Sequence, residues 1–494
     1  MNQEREMRFD GLTSRRQLLE IAGLGFGTLA LTYLLEQEGL AGAMVAQAES
    51  TSYNDLKLRP GHFKGAAKSV IQLVQPGGPS QMDLFDPKPE LTKRRGQPHP
   101  GQVETVMTEK NRNILLASPF KFIRYGECAM ELAEIIPHMG SVADELCLIR
   151  SMYTAHNNHQ EGLNMLQTCK IFPGRPTMGA WVSYALGTEN QNLPAYVVLR
   201  DPAGYSQNGR MLWSSGFLPA TFQGVEFNSE GSPVHHLSSG SPLPPGAQRH
   251  NLDLLATINS LHKQAHPRES ELEARIQNYE LAARMQLATG EVLDLAKEST
   301  ETRKLYGLDH ADPKTAGYGK RCLMARRLVE AGVRFVQVYP PGGVQPWDHH
   351  AKIEPGLRSM CGYTDQAFGA LVRDLKRRGL LESTVIMWAG EFGRLPITEN
   401  ADGRDHNRNA FSLVLAGGGF KKGIVYGETD EFGYKAISNR VGVPDLHATV
   451  LHLLGISHER LIYPHHGVPE TPTDARLNHA KVVSDVLESR AGVA

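Results

Sequence analysis

Six short apolar runs recur along the chain: "SVIQLVQ" at 69–75, "ELCLIR" at 145–150, "AYVVLR" at 195–200, "RFVQVY" at 334–339, "TVIMWA" at 384–389 and "FSLVLAGGG" at 411–419. They are rich in β-branched and aromatic residues, with Gly or Pro close by, which is the pattern of buried strands. Between them lie helical patterns at 177–186, 270–289, 316–330, 363–378 and 445–454, and an amphipathic stretch at 131–144. Near-continuous apolar strands alternating with helices predict an α/β domain. Its mostly parallel central sheet would carry helices on both faces.

Two regions break this rhythm. Residues 201–251 are rich in Gly, Ser and Pro, and charged helical patterns follow to about 306. A loop that long is uncommon inside a compact domain, so 202–308 is expected to be an inserted cap or lid. The other region is the N-terminus. Arg15 and Arg16 precede an apolar, Gly-rich run that ends at Leu35, and "AGAMVAQAES" then supplies small residues. The run is short for a membrane span and reads as the core of a signal peptide over residues 1–48. The paired arginines resemble the twin-arginine export signal, although Glu20 departs from the usual Lys. The expected organisation is that signal followed by one domain over 49–494. The expected setting is the periplasm or another extracytoplasmic space, reached folded through the twin-arginine translocase.

Composition changes this picture little. A formal net charge of -1 gives no basic excess for nucleic acid. Five Cys with no CxxC pair allow a bridge or two and no disulfide scaffold. No P-loop, G-x-G-x-x-G turn, nucleophile elbow or haem motif is present, so a nucleotide-dependent oxidoreductase lacks support.

The candidate chemistry lies beside the strands. In open α/β sheets ligands bind beyond the carboxyl ends of the strands. There the chain places Asp83 and Asp86 after the first run, His156 and His159 after the second, and Asp348, His349 and His350 after "RFVQVY". Glu391 and Arg394 follow "TVIMWA", while Arg404, Asp405 and His406 precede the last run. Asp, Glu and His together are the ligand set of a hard or borderline divalent cation such as zinc, manganese or calcium. Asp348 and His350, two apart, share a face on extended backbone, so His350 is the better ligand and His349 is expected to face solvent or stand behind it. Arg394 or Arg404 would clamp an anionic group. Singly, each residue also fits a plainer role: Asp83 and Asp405 as turn caps, Glu391 with Arg394 as an ion pair.

The motifs "GGPSQMDLFDPKPEL", "RSMYTAHNNHQEGLNMLQTC", "WDHH", "WAGEFGRLP", "GRDHN" and "LAGGGFKKGIVYGETDEFG" resemble a group of exported bacterial proteins of unknown function, often called sulfatase-like. That group is placed in the alkaline phosphatase superfamily, and the resemblance runs from about 69 to 488. It implies a divalent-metal site at the carboxyl end of the sheet, acting on a phosphate or sulfate ester of a small molecule or polysaccharide. It implies metal ligands at Asp348, His350 and His406, with Glu391 standing in for an Asp. Asp405 joins that expected ligand set, and Asp83 substitutes for the Asp that should end the first strand. Phe392 stands where a His is expected. The nucleophile loop "YTAHNNHQEG" lacks a well-placed Ser, Thr or Cys, which leaves His159 as a candidate nucleophile or general acid. Arg394 and Arg404 complete the expected catalytic set. Two functions remain open on these residues: a metal-dependent hydrolase, or a binding or scaffold protein that kept the fold and lost turnover.

Overall fold

All six apolar runs form strands. They are β1 (Ser69–Val74), β2 (Leu146–Tyr153), β3 (Tyr196–Leu199), β5 (Phe335–Val338), β6 (Thr384–Ala389) and β7 (Phe411–Ala416). Short strands β4 (Val225–Glu226), β8 (Ile424–Tyr426) and β9 (Val441–Gly442) extend the sheet. The computed structural model describes residues 55–106, 113–231, 247–265 and 292–489, with single positions at 276, 280, 281, 284 and 285. All of these lie within the unit Tyr53–Ala494. The expected signal peptide over 1–48, most of the helical pattern at 270–289 and part of the expected cap fall outside the described residues.

The strand order is β8-β2-β7-β6-β1-β5-β3-β4, with β9 beside β2. Among the described residues, β7 runs antiparallel to both of its neighbours, and the other pairings in this sheet are parallel. Val225–Glu226, inside the expected insertion, pairs with β3 at one edge.

The two-residue period of the strands separates two apolar cores. Ile71, Leu73, Val197, Val336, Val338 and Ile386 face one core. Val70, Val74, Val198, Phe335, Val385 and Met387 face the other. Helices α1 (His159–Thr168), α2 (Met178–Leu186) and α6 (Val443–Leu453) supply the second core. Helices α4 (Pro313–Glu330) and α5 (Ile353–Arg377) supply the first. The exposed helix α3 (Ala247–Ala265) belongs to neither. Both faces are therefore covered, which explains why these strands read as unbroken apolar runs. Among the described residues no helix is long and apolar enough to cross a membrane.

Three expectations change. The amphipathic stretch at 131–144 holds a strand, Met130–Ala133, and a one-turn helix, Pro137–Gly140; Pro137, with no N–H to give, starts that turn. Helix α5 begins ten residues before the expected 363, because Pro355 sits in its first turn, where the missing N–H costs nothing. The five Cys are all free, four of them buried.

Strand direction then sets the rim. In β1, Leu73 is level with Val338 of β5 and Trp388 of β6, so the loops that follow these strands leave on one side. β2 runs the same way, so its following loop joins them. β7 runs the other way, so the segment before it arrives at that same rim.

Candidate metal centre

Four side chains converge at this rim. One ligand atom from each of His159, Asp348, His350 and His406 lies within 4.8 Å of the others. His159 is the first residue of α1, after the extended Asn158. Asp348 and His350 come from the loop after β5. His406 sits in a two-residue ribbon in which it pairs with Arg394.

The hydrogen bonds define which nitrogen each imidazole turns inward. His350 Nδ1 is 2.5 Å from Glu399 Oε2, so it carries the proton and donates. His406 Nδ1 is 2.7 Å from the Asn157 carbonyl oxygen, which only accepts. His159 Nδ1 is 2.6 Å from Glu391 Oε1, which also accepts the Gly77 N–H at 2.8 Å. Each imidazole, when neutral, therefore presents its Nε2 lone pair to Asp348. His350 Nε2 and His406 Nε2 are 2.9 and 3.2 Å from Asp348 Oδ1 and 3.0 Å from each other. His159 Nε2 is 3.3 Å from Asp348 Oδ2 and has no hydrogen-bond partner.

This donor set fits a divalent cation. Ligand atoms about 2.0–2.1 Å from a common centre stand roughly 2.9–3.4 Å apart, which matches the spacings here. Imidazoles whose outer nitrogen donates to a carboxylate or carbonyl are the usual support for such ligands. Buried lone pairs facing one carboxylate with no donor between them would otherwise be costly.

Titration of the cluster follows from the same bonds. Burial works to raise the Asp348 carboxyl, but the facing imidazoles of His159, His350 and His406, and the Arg394 charge, hold it well below the usual carboxylate range. Burial lowers His159 and His350, yet the carboxylates beside them, Asp348 with Glu391 or Glu399, leave both above the ordinary value. His406 is lowered to about 4, by burial first; its neighbour Asp348 opposes this, and the Arg394 and His159 charges add to the lowering. A cation would compete with these protons for the same nitrogens.

Several expected roles change on this geometry. Glu391 stands behind His159 instead of beside the other ligands. Asp405 accepts from the backbone N–H groups of His406 and Val106, each at 2.7 Å, although it also lies near His350 and Glu399. Asp83 is not at the cluster: both its oxygens are held by Arg404, at 2.7 and 3.0 Å, and both side chains are fully buried. That pair, with the Leu395 and Leu116 carbonyls to which Arg404 also donates, occupies the buried guanidinium as part of the structure and not as a substrate clamp. Arg394 is likewise occupied, donating to the carbonyls of Gly77, Gly78 and Arg404 and to Asp348 at 2.5 Å. It positions Asp348. His349 is not solvent-facing; it packs against Gly356 on α5, where a Cβ would lie 2.1 Å from its ring. Burial first, then the Arg394 charge, pushes its pKa down to about 4.

The glycines of "PGGPS" make this approach possible. Gly77 and Gly78 have φ of +110° and +67°, and a Cβ would meet Asp348 N at 2.6 Å or the Phe392 ring at 2.7 Å. Phe392 packs its ring 4.9 Å from His159 and 4.5 Å from His406, an apolar wall behind two of the imidazoles. Glu399 and the Asn157 carbonyl escaped the sequence reading. Glu399 lies well past the end of β6, the apolar run that marked the rim in the sequence, and a backbone carbonyl leaves no residue-type signal.

Among solved structures, the chain is similar to the lipoteichoic acid synthase LtaP from Listeria monocytogenes, with 11% identity, 82% of this chain and 76% of that chain covered, and a TM-score of 0.35. It is similar to a phosphonate monoester hydrolase from Silicibacter pomeroyi, with 10% identity, 87% and 77% covered, and a TM-score of 0.36. It is also similar to a protein in the alkaline phosphatase superfamily from Vibrio parahaemolyticus, with 10% identity, 90% and 76% covered, and a TM-score of 0.35. No curated protein sequence matches the chain. A family model does match, over residues 67–487, nearly the span on which the motifs resemble a family. The chain belongs to the family described as "Protein of unknown function (DUF1501)".

Proposed function

We propose that this chain is an exported metal-dependent hydrolase of a phosphate or sulfate ester. The observation that carries the reading is the convergence of three imidazole Nε2 atoms on the Asp348 carboxylate. His159, Asp348, His350 and His406 would hold the ion, which places His159 among the ligands and not as the nucleophile. Three imidazoles with one carboxylate favour zinc or manganese over calcium, which takes oxygen ligands. A bound ion there would supply polarisation of an ester oxygen and acidification of a water. The chain's own residues do the rest. Glu391, Glu399 and the Asn157 carbonyl fix the imidazole tautomers and ring orientations, and Arg394 fixes Asp348. Phe392 keeps water from one side of the cluster. Export rests on Arg15, Arg16 and the apolar run after them, and fractionation of the producing cell tests it.

One observation favours a second reading, a binding or scaffold protein. Among the described residues, no Ser, Thr or Cys side chain hydrogen-bonds to any of the four clustered residues. A water-based hydrolysis needs none, so turnover decides. Phosphate and sulfate esters are screened with metal-loaded wild type and Asp348→Ala. Hydrolysis that disappears in the variant while its fold is retained supports the hydrolase. No turnover of any ester by fully loaded protein favours the binding reading.

A further inference from the structure

A cavity of about 640 Å³ opens on the same side of the sheet, beyond the carboxyl ends of β3 and β5. That volume is within the range of ligand clefts, about 300–1,000 Å³. Its walls include Asp201, just after β3; Gly342, four residues after β5; and Lys314, Gly317 and Arg321 of α4. The loop that forms one wall continues five residues on to Trp347, whose indole Nε1 donates to Gln75 at 2.8 Å, and then to Asp348. Cavity and metal cluster therefore share one loop.

Arg321 is the telling residue. It is 2% exposed, and its Nη2 has no hydrogen-bond partner. Its Nε donates to the Tyr339 carbonyl at 3.1 Å, which fixes the guanidinium plane. Its Nη1 is 3.7 Å from Asp201 Oδ1, a loose pairing, because the other Asp201 oxygen accepts the Gly342 N–H at 3.2 Å. A guanidinium held this deep with a free donor leaves strong binding capacity unused.

A second observation concerns Gly317. Glycine is disfavoured inside a helix, yet Gly317 lies within α4 and has no unusual φ to require it. A Cβ there would meet only Arg321 Nη1, at 3.7 Å. The missing side chain keeps space open in front of the guanidinium.

The remaining lining indicates what enters. Lys314 adds a second cation, whereas Asp201 and Glu230 add carboxylates that accept from hydroxyl groups. Pro202, Pro313 and Pro341 supply small apolar faces. We propose that this cavity binds a sugar ring carrying an anionic substituent, with the oxyanion on Arg321 and Lys314 and the ring hydroxyls on Asp201 and Glu230. As a substrate subsite this rests on the hydrolase reading. It makes the substrate an acidic saccharide, charged at a position other than the ester that is cleaved.

The test is direct binding to the full chain, followed by saturation-transfer NMR. The probes are glucuronic acid, glucose 6-sulfate, glucose 6-phosphate, glucose, and inorganic sulfate and phosphate. At least one acidic sugar should bind roughly 10-fold or more tightly than both glucose and the inorganic ions. Arg321→Gln should weaken that binding by roughly 10-fold or more. Gly317→Leu, which adds a helix-favouring side chain in open space, should do the same even where Arg321→Gln fails to fold. Asp348→Ala should keep the binding, which separates this site from the metal reading. Acidic sugars that bind no better than glucose or the free ions, or an affinity unchanged in Gly317→Leu, would overturn the proposal.

Discussion

His350 Nε2 and His406 Nε2 stand 3.0 Å apart, and each imidazole turns its other nitrogen to a fixed acceptor. When both rings are neutral, neither Nε2 holds a proton to give the other, and both face the same oxygen of Asp348. The arrangement makes sense as the inner surface of a cation site. Its outer acceptors are therefore as testable as its ligands.

Glu399 tests the outer acceptors. Glu399→Ala removes the acceptor that holds His350 Nδ1–H, without touching a ligand atom. Loss of such a supporting group typically costs roughly 10–100-fold in metal affinity. A competitive chelator titration on folded variant protein should show a drop of that size. Unchanged affinity would mean that Glu399 does not orient His350.

The Asp83–Arg404 pair should behave as structure and not as part of the site. Removing one partner of a buried, hydrogen-bonded ion pair costs about 3–5 kcal/mol. Asp83→Ala should lower stability by that order in denaturant unfolding, yet bind metal with wild-type stoichiometry under conditions where it folds. A variant of normal stability that loses its metal would return Asp83 to the ligand set.

A pH effect arises away from the site, at His447 of α6. Its Nε2 is 2.8 Å from the Leu166 carbonyl in the second core, and burial pushes its pKa down to about 4. Above about 6.5, the unfolded value, both folded and unfolded states hold it neutral, so it adds no pH dependence. As pH falls from there towards 4 the unfolded state takes up a proton first, and stability drops by up to about 3 kcal/mol. His447→Leu should flatten the loss of stability between pH 7 and 4, measured by denaturant unfolding at each pH. Equal slopes in the two proteins would contradict this.

Much of the fold was legible because the sheet is buried on both faces. Runs such as "SVIQLVQ" and "TVIMWA" cannot satisfy a half-exposed strand, so their type and place were clear. Boundaries were harder: α5 starts at Ile353, well before the expected 363, with Pro355 inside its first turn. In the site, Asp348, His350 and His406 were legible as ligand types beside strand ends. Glu391 and Asp405 were found for the same reason, but residue type does not tell a group on the ion from one that holds an imidazole. Arg394 and Arg404 looked like substrate clamps because a sequence does not display the backbone carbonyls that occupy them. Asp83 was misplaced because its partner Arg404 is more than 300 residues away in the chain.

Metal content tests the central claim most directly. Purified wild-type chain and Asp348→Ala, loaded with zinc or manganese and then desalted, are compared by elemental analysis with folding checked by circular dichroism. The cluster predicts about one tightly held ion per wild-type chain and its loss in the variant. Wild-type protein that retains no ion after loading, or a variant that retains as much as wild type, would contradict it.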